Sequence, residues 1–181
     1  MTIADTALLL MDFQDEITSN YSTTDIIPKT AAVLAAARKA GLPVFFVVVG
    51  FRPGYPEISP SNKSFSALKQ SGRLVDAKVI AELQPRASEP VITKRRVSAF
   101  AGSDLEVVLR SHGIRHIVLG GIATSGVVLS TTRLAADMDY QITILADCCA
   151  DNDAEVHRVL LEKILPRQAT VITSEEFLAT L

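Results

Sequence analysis

Apolar residues in this 181-residue chain are gathered into short blocks separated by amphipathic stretches. Six blocks, residues 7–11, 44–49, 91–93, 116–119, 142–145 and 170–172, are nearly all apolar. Blocks of that length without alternation fit strands covered on both faces. The stretches between them carry helix punctuation. Ser103, with Glu106 three residues on, has capping-box spacing before LEVVLRSHG, and Gly113 stops that helix. Asn152 with Glu155 opens AEVHRVLLEKIL, which Pro166 ends, and Thr173 with Glu176 opens the last helix. Thr24 or Asp25 caps IIPKTAAVLAAARKAG, with Gly41 after it. The alternation predicts an α/β fold, a six-stranded parallel sheet in three α/β/α layers, as a single domain over residues 1–181.

Residues 50–84 break the pattern. FRPGYPEISPSNKSFSALKQSGR is rich in Pro, Gly and Ser and has weak periodicity. Long irregular segments in compact domains are usually functional lids or subunit contacts. In an open parallel sheet, ligands bind beyond the carboxyl ends of the strands. Three polar features fall there: Asp12 after the first block, Lys94 after the third, and the turn after the fourth. The last lies in RHIVLGGIATSGVVLSTTRLAADMDY and reads as a strand, a Gly120-Gly121 turn and a helix starting near Thr124. Such a turn aims backbone N–H groups at one spot, where an anion or oxyanion can sit. The first turn of that helix, where a nucleophile is often mounted, holds Val127.

Asp12 follows Leu8, Leu9, Leu10 and Met11, so its carboxylate is expected to be desolvated, with Lys94 as a cation beside it. The pair fits general acid–base work, and an equally open reading has Asp12 capping the DFQDE segment. Thr124 and Ser125 read more readily as helix caps than as nucleophiles. His112, His116 and His157 fall in helices or at a strand start, away from the ligand edge, which leaves a Ser-His-Asp or Cys-His triad without support. No HxH, HExxH, CxxC or GxGxxG pattern occurs, so neither a metal site nor a dinucleotide is expected. The net charge of −2 and one short basic tract, Lys94-Arg95-Arg96, argue against nucleic acid. Adjacent Cys148 and Cys149 read as buried structural thiols of a reduced, cytoplasmic protein. MTIADTALLLMD does not resemble a secretory signal, and the longest apolar run, 44–49, is far short of a membrane span.

Taken in order, LLLMDFQ, VITKRRVSAF, LGGIATSGVVLSTTRLAADMDY and ILADCCAD resemble the isochorismatase-like hydrolase superfamily along nearly the whole chain. The resemblance implies the Rossmann-like isochorismatase-like hydrolase fold. It makes Asp12 and Lys94 the first two members of an Asp-Lys-Cys triad, puts Val127 where the nucleophilic cysteine would stand, and implies a cis peptide between Ile122 and Ala123. By the same comparison Gln14, Arg52, Ile122, Ala123, Thr124 and Ser125 are candidate substrate contacts, with Arg96 a further carboxylate contact. The zinc-binding segment of nicotinamidases is missing, so no cofactor is expected. Three readings result. The first is a hydrolase of a small anionic substrate, of the isochorismate vinyl-ether type, with Asp12 as general acid and no cysteine nucleophile. The second is an amide-type hydrolase that activates water. The third is a non-catalytic ligand-binding or assembly protein of the same fold. A homo-oligomer, dimer or tetramer, with no membrane partner, is expected.

Overall fold

The computed structural model describes residues 3–181. Its six strands are β1 (Thr6–Met11), β2 (Val44–Val49), β3 (Val91–Lys94), β4 (His116–Ile122), β5 (Gln141–Ala150) and β6 (Thr170–Ile172). They form one sheet in the order β3-β2-β1-β4-β5-β6, and every pairing is parallel. The helices are α1 (Asp15–Thr18), α2 (Ile26–Ala40), α3 (Leu105–Ser111), α4 (Leu129–Asp137), α5 (Ala154–Val159) and α6 (Ser174–Leu178).

Alternate residues of β1 feed two separate cores. Leu8 and Leu10 pack with Val33, Leu34 and Ala37 of α2 and Phe177 of α6. Ala7, Leu9 and Met11 pack on the other face with Leu105 and Leu109 of α3 and Ala135 of α4. A central parallel strand must bury both faces, which is why its sequence is a continuous apolar run. This is the expected three-layer α/β/α arrangement. Strand order reverses between β1 and β4, so a crevice opens beyond their carboxyl ends.

Several boundaries differ from the sequence reading. Gly120 and Gly121 are not a turn: β4 runs through them, pairing with Leu10 and Met11 of β1. A Cβ on Gly121 would lie 3.0 Å from both Cβ and O of Met11, and one on Gly120 3.2 Å from Cβ of Cys148. The glycines therefore serve close strand approach. β5 likewise continues to Ala150, so Cys148 and Cys149 lie within it, both buried. The helix after β4 opens with a wide π turn, Thr124–Val128, and Ala123 is its N-cap; Thr124 and Ser125 are not.

Capping also shifts. Asp153, not Asn152, caps α5, accepting from the N–H groups of Glu155 and Val156. α3 starts after Asp104, and Ser103 Oγ accepts only from Leu105 N–H at 3.3 Å. Glu106 instead pairs with Arg110. Asp25 precedes α2 without a side-chain cap, while Thr173 and Glu176 do form the predicted capping box. Among the described residues no helix is long and apolar enough to cross a membrane.

Candidate active site

β1 ends at Met11, and Asp12 takes a left-handed φ of 61°, a conformation short polar side chains tolerate. Asp12 N–H still bonds Val47 O, at 2.8 Å, so the backbone remains tied to β2 while the chain turns. The carboxylate does not cap the following helix. Its Oδ2 lies 2.9 Å from Lys94 Nζ, with only 6% and 2% of the two side chains exposed. Asp12 Oδ1 is buried and has no hydrogen-bond partner among the described residues. Burial raises the Asp12 carboxyl above the usual carboxylate range, and the Lys94 ammonium opposes this without cancelling it.

Lys94 Nζ also donates to Arg96 O at 3.1 Å and Val97 O at 2.9 Å. An ammonium has three N–H donors, and three acceptors surround this one. Lys94 therefore stabilises the Asp12 carboxylate and has no donor left for a substrate.

The turn after β4 closes the site from the opposite side. Ile122–Ala123 is a cis peptide, as the resemblance implied. Ser125 N–H donates to Asp151 Oδ2 at 2.7 Å, and the N–H groups of Gly126 and Val128 both donate to Ala123 O. Three of the turn's amides are thus engaged, two of them by Ala123 O and one by Asp151. Thr124 Oγ1 donates to Ala150 O at 3.1 Å and lies 2.8 Å from His157 Nδ1. One hydroxyl has one proton, so with that proton on Ala150 O, His157 Nδ1 donates to Thr124. Burial holds the His157 imidazole below its usual pKa, opposed by Asp151. His157 thus braces the turn from outside the cavity, a role its mid-helix position did not suggest. Burial would raise the Asp151 carboxyl, but hydrogen bonds from Ser125, Asn152 and Asp153 hold it below the usual range.

Between these walls is a cavity of about 360 Å³. Asp12, Lys94, Ile122, Ala123 and Val127 all line it. Val127 is buried and lines the cavity with an alkyl side chain. Gln14, Arg52, Thr124 and Ser125 do not line it. Gln14 is buried, and its side-chain amide bonds both N–H and O of Val49, clamping the β1 exit to the end of β2. Arg52 is 67% exposed and paired with Glu57. Arg96 donates to Glu57 O and Arg95 to Gly50 O, so the two arginines after Lys94 hold down the segment following β2.

That segment is folded. Phe51, Tyr55, Ile58 and Leu74 form a small core with Val49, against which Phe65 and Leu68 pack. It supplies Ser64, Phe65, Arg73 and Leu74 to the cavity, while Ile17, Asn20 and Tyr21 face them from the α1 side. None of these was foreseen, because irregular chain has no periodicity to place a side chain. Tyr21 has its phenol raised by burial, then by Asp151 and Asp12. Among the described residues no group of three or more His, Cys, Asp or Glu side chains is arranged to hold a metal.

The isochorismatase domain family matches residues 6–176. The isochorismatase family protein YecD of Escherichia coli O157:H7 is 34% identical over 97% of this chain and 96% of its own length. The ureidoacrylate amidohydrolase RutB of Pseudomonas savastanoi pv. phaseolicola is 35% identical over 81% of this chain and 71% of its own. An isochorismatase family protein from Burkholderia thailandensis superposes with a TM-score of 0.84 at 29% identity, covering 100% of this chain and 97% of that one.

Proposed function

The chain belongs to the isochorismatase family of hydrolases, and on that premise we propose that it hydrolyses a small anionic substrate without a covalent intermediate, by vinyl-ether chemistry of the isochorismate type. The observation that carries this reading is the buried Asp12–Lys94 pair, 2.9 Å apart, facing a cavity in which Val127 supplies no nucleophile. An alkyl side chain cannot attack a carbonyl, so a thioester route has no group to start it at that position.

Vinyl-ether hydrolysis needs an acid rather than a nucleophile. Asp12, whose carboxyl burial raises above the usual range, gives its proton to the terminal methylene carbon of the enolpyruvyl group. The resulting oxocarbenium ion takes up water and returns a proton to Asp12. The hemiketal then collapses to pyruvate and the alcohol. During the charged interval Lys94 stabilises the Asp12 carboxylate at 2.9 Å.

A second reading has Asp12 acting as a base that activates water on an amide-type bond. The similarity to a ureidoacrylate amidohydrolase supports it. Of the turn's N–H groups, those of Gly126 and Val128 are bonded to Ala123 O and that of Ser125 to Asp151, so an oxyanion hole would have to draw on others. Release of pyruvate from isochorismate by the wild type, and its loss in Asp12→Ala, is the expected result. Wild type that releases none removes isochorismate as substrate; equal release by the variant removes Asp12 as the acid.

A further inference from the structure

Lys94, the cation at the cavity floor, has all three donors engaged by Asp12, Arg96 O and Val97 O. An anionic substrate must therefore find its counter-charge elsewhere. Besides Lys94, the only Arg or Lys lining the cavity among the described residues is Arg73. Its backbone is fixed on both sides: Tyr55 Oη donates to Arg73 O at 2.8 Å, and Leu74 N–H donates to Glu16 Oε2 at 2.5 Å. Its guanidinium makes one hydrogen bond, from Nη2 to the main-chain O of Glu16, and forms no ion pair among the described residues. Of the five N–H donors of an arginine, four remain available. The cavity lining is mostly apolar, with Ile17, Phe65, Leu74, Val97 and Val127, beside the polar Glu16, Asn20, Tyr21 and Ser64.

We infer that Arg73 is the anion-recognising residue of this site, and that the substrate is a small amphipathic molecule whose carboxylate meets Arg73 while its apolar body lies against Phe65, Leu74 and Val127. The inference rests on the cavity being the reaction site and names the substrate class for it. A guanidinium presents paired donors in a fork that fits a carboxylate in two-point contact. Arg73 is carried by the segment between β2 and β3, outside the sheet, so its placement sets which substrate enters and leaves the proton chemistry at Asp12 unchanged.

The test is binding, which needs no turnover. Benzoate and its neutral isostere benzamide are titrated into wild type, Arg73→Gln and Arg73→Lys, read by calorimetry and by shifts of cavity amide resonances. Benzoate is expected to bind wild type at least about tenfold more tightly than benzamide, the scale of one charge-assisted hydrogen bond. Arg73→Gln is expected to remove that preference and Arg73→Lys to retain part of it, with thermal midpoints unchanged. Equal binding of the two probes by wild type, no benzoate binding by wild type, or an undiminished preference in Arg73→Gln overturns the inference. Benzoate selectivity that depends on Arg73 in a protein releasing no pyruvate from isochorismate would leave this inference standing and defeat the vinyl-ether reading.

Discussion

Replacing Lys94 by methionine isolates the electrostatics on which the site depends. The two charges are 2.9 Å apart, with 2% and 6% of their side chains exposed. At an effective dielectric of about 20 their attraction is roughly 6 kcal/mol, part of which offsets the cost of burying both charges. Removing one partner leaves the other buried and uncompensated, which typically costs about 3–5 kcal/mol, a large fraction of a domain's total stability.

Asp12 has an escape, because it can take up a proton. Its folded-state pKa is already raised by burial, and loss of the cation raises it further. The folded state then holds more protons than the unfolded one between the unfolded aspartate value, near ~3.9, and the folded value. Stability is fully present below that window and falls as pH rises through it. In denaturant titrations followed by circular dichroism, Lys94→Met should therefore be strongly destabilised near pH 7 and much closer to wild type near pH 4. Asp12→Asn combined with Lys94→Met, which removes both charges, should recover most of the loss. The exposed pair Lys78–Asp76 serves as a control whose disruption leaves the midpoint unchanged. A coupling between Asp12 and Lys94 below about 1 kcal/mol, the range of exposed pairs, or a loss independent of pH, would refute the reasoning.

Three further outcomes test other parts of the account. Gly121→Ala, whose new Cβ would lie 3.0 Å from Met11 Cβ and O, is expected to lose about 1–3 kcal/mol in the same titration, because a β1 backbone atom cannot move aside. The native thiols should resist a thiol-reactive disulfide until the protein is unfolded. Burial pushes the Cys148 thiol up to about 12 and raises Cys149 as well, which leaves little thiolate near neutral pH. Val127→Cys, a nearly volume-conserving change in the cavity wall, should fold as wild type and introduce one alkylatable thiol, detected by intact-mass analysis after iodoacetamide. An unmodified variant would contradict the placement of residue 127 at the cavity.

Much of the scaffold was legible because central parallel strands must be apolar on both faces. The block 7–11 announces β1 for that reason, and Asp12 stands out as the first polar position at its end, whereas Lys94 closes the short edge strand β3 behind Thr93. The ends of β4 and β5 were less legible. Gly120 and Gly121 resemble turn residues locally, and only their pairing with Leu10 and Met11 shows that they are needed for close packing. Asn152 and Asp153 are both good caps by type, and hydrogen-bond geometry alone selects Asp153. Gln14 and Arg52 were expected at the substrate because the resemblance supplies position but not direction. Gln14 turns onto Val49 and Arg52 onto Glu57. Arg73 comes from chain held by a small local core rather than by the sheet, and no period in the sequence could have aimed it at the cavity.

The central claim is that Asp12 works as a protonated acid, and the pH dependence of kcat/KM for pyruvate release from isochorismate tests it most directly. Burial raises the Asp12 carboxyl, so the acid form persists above the ordinary carboxylate range and is lost as pH climbs through the raised value. The account predicts a kcat/KM that is highest at low pH and declines along that limb, with the limb absent in Asp12→Asn. A kcat/KM that instead rises with pH through the same limb would make Asp12 a base and contradict it.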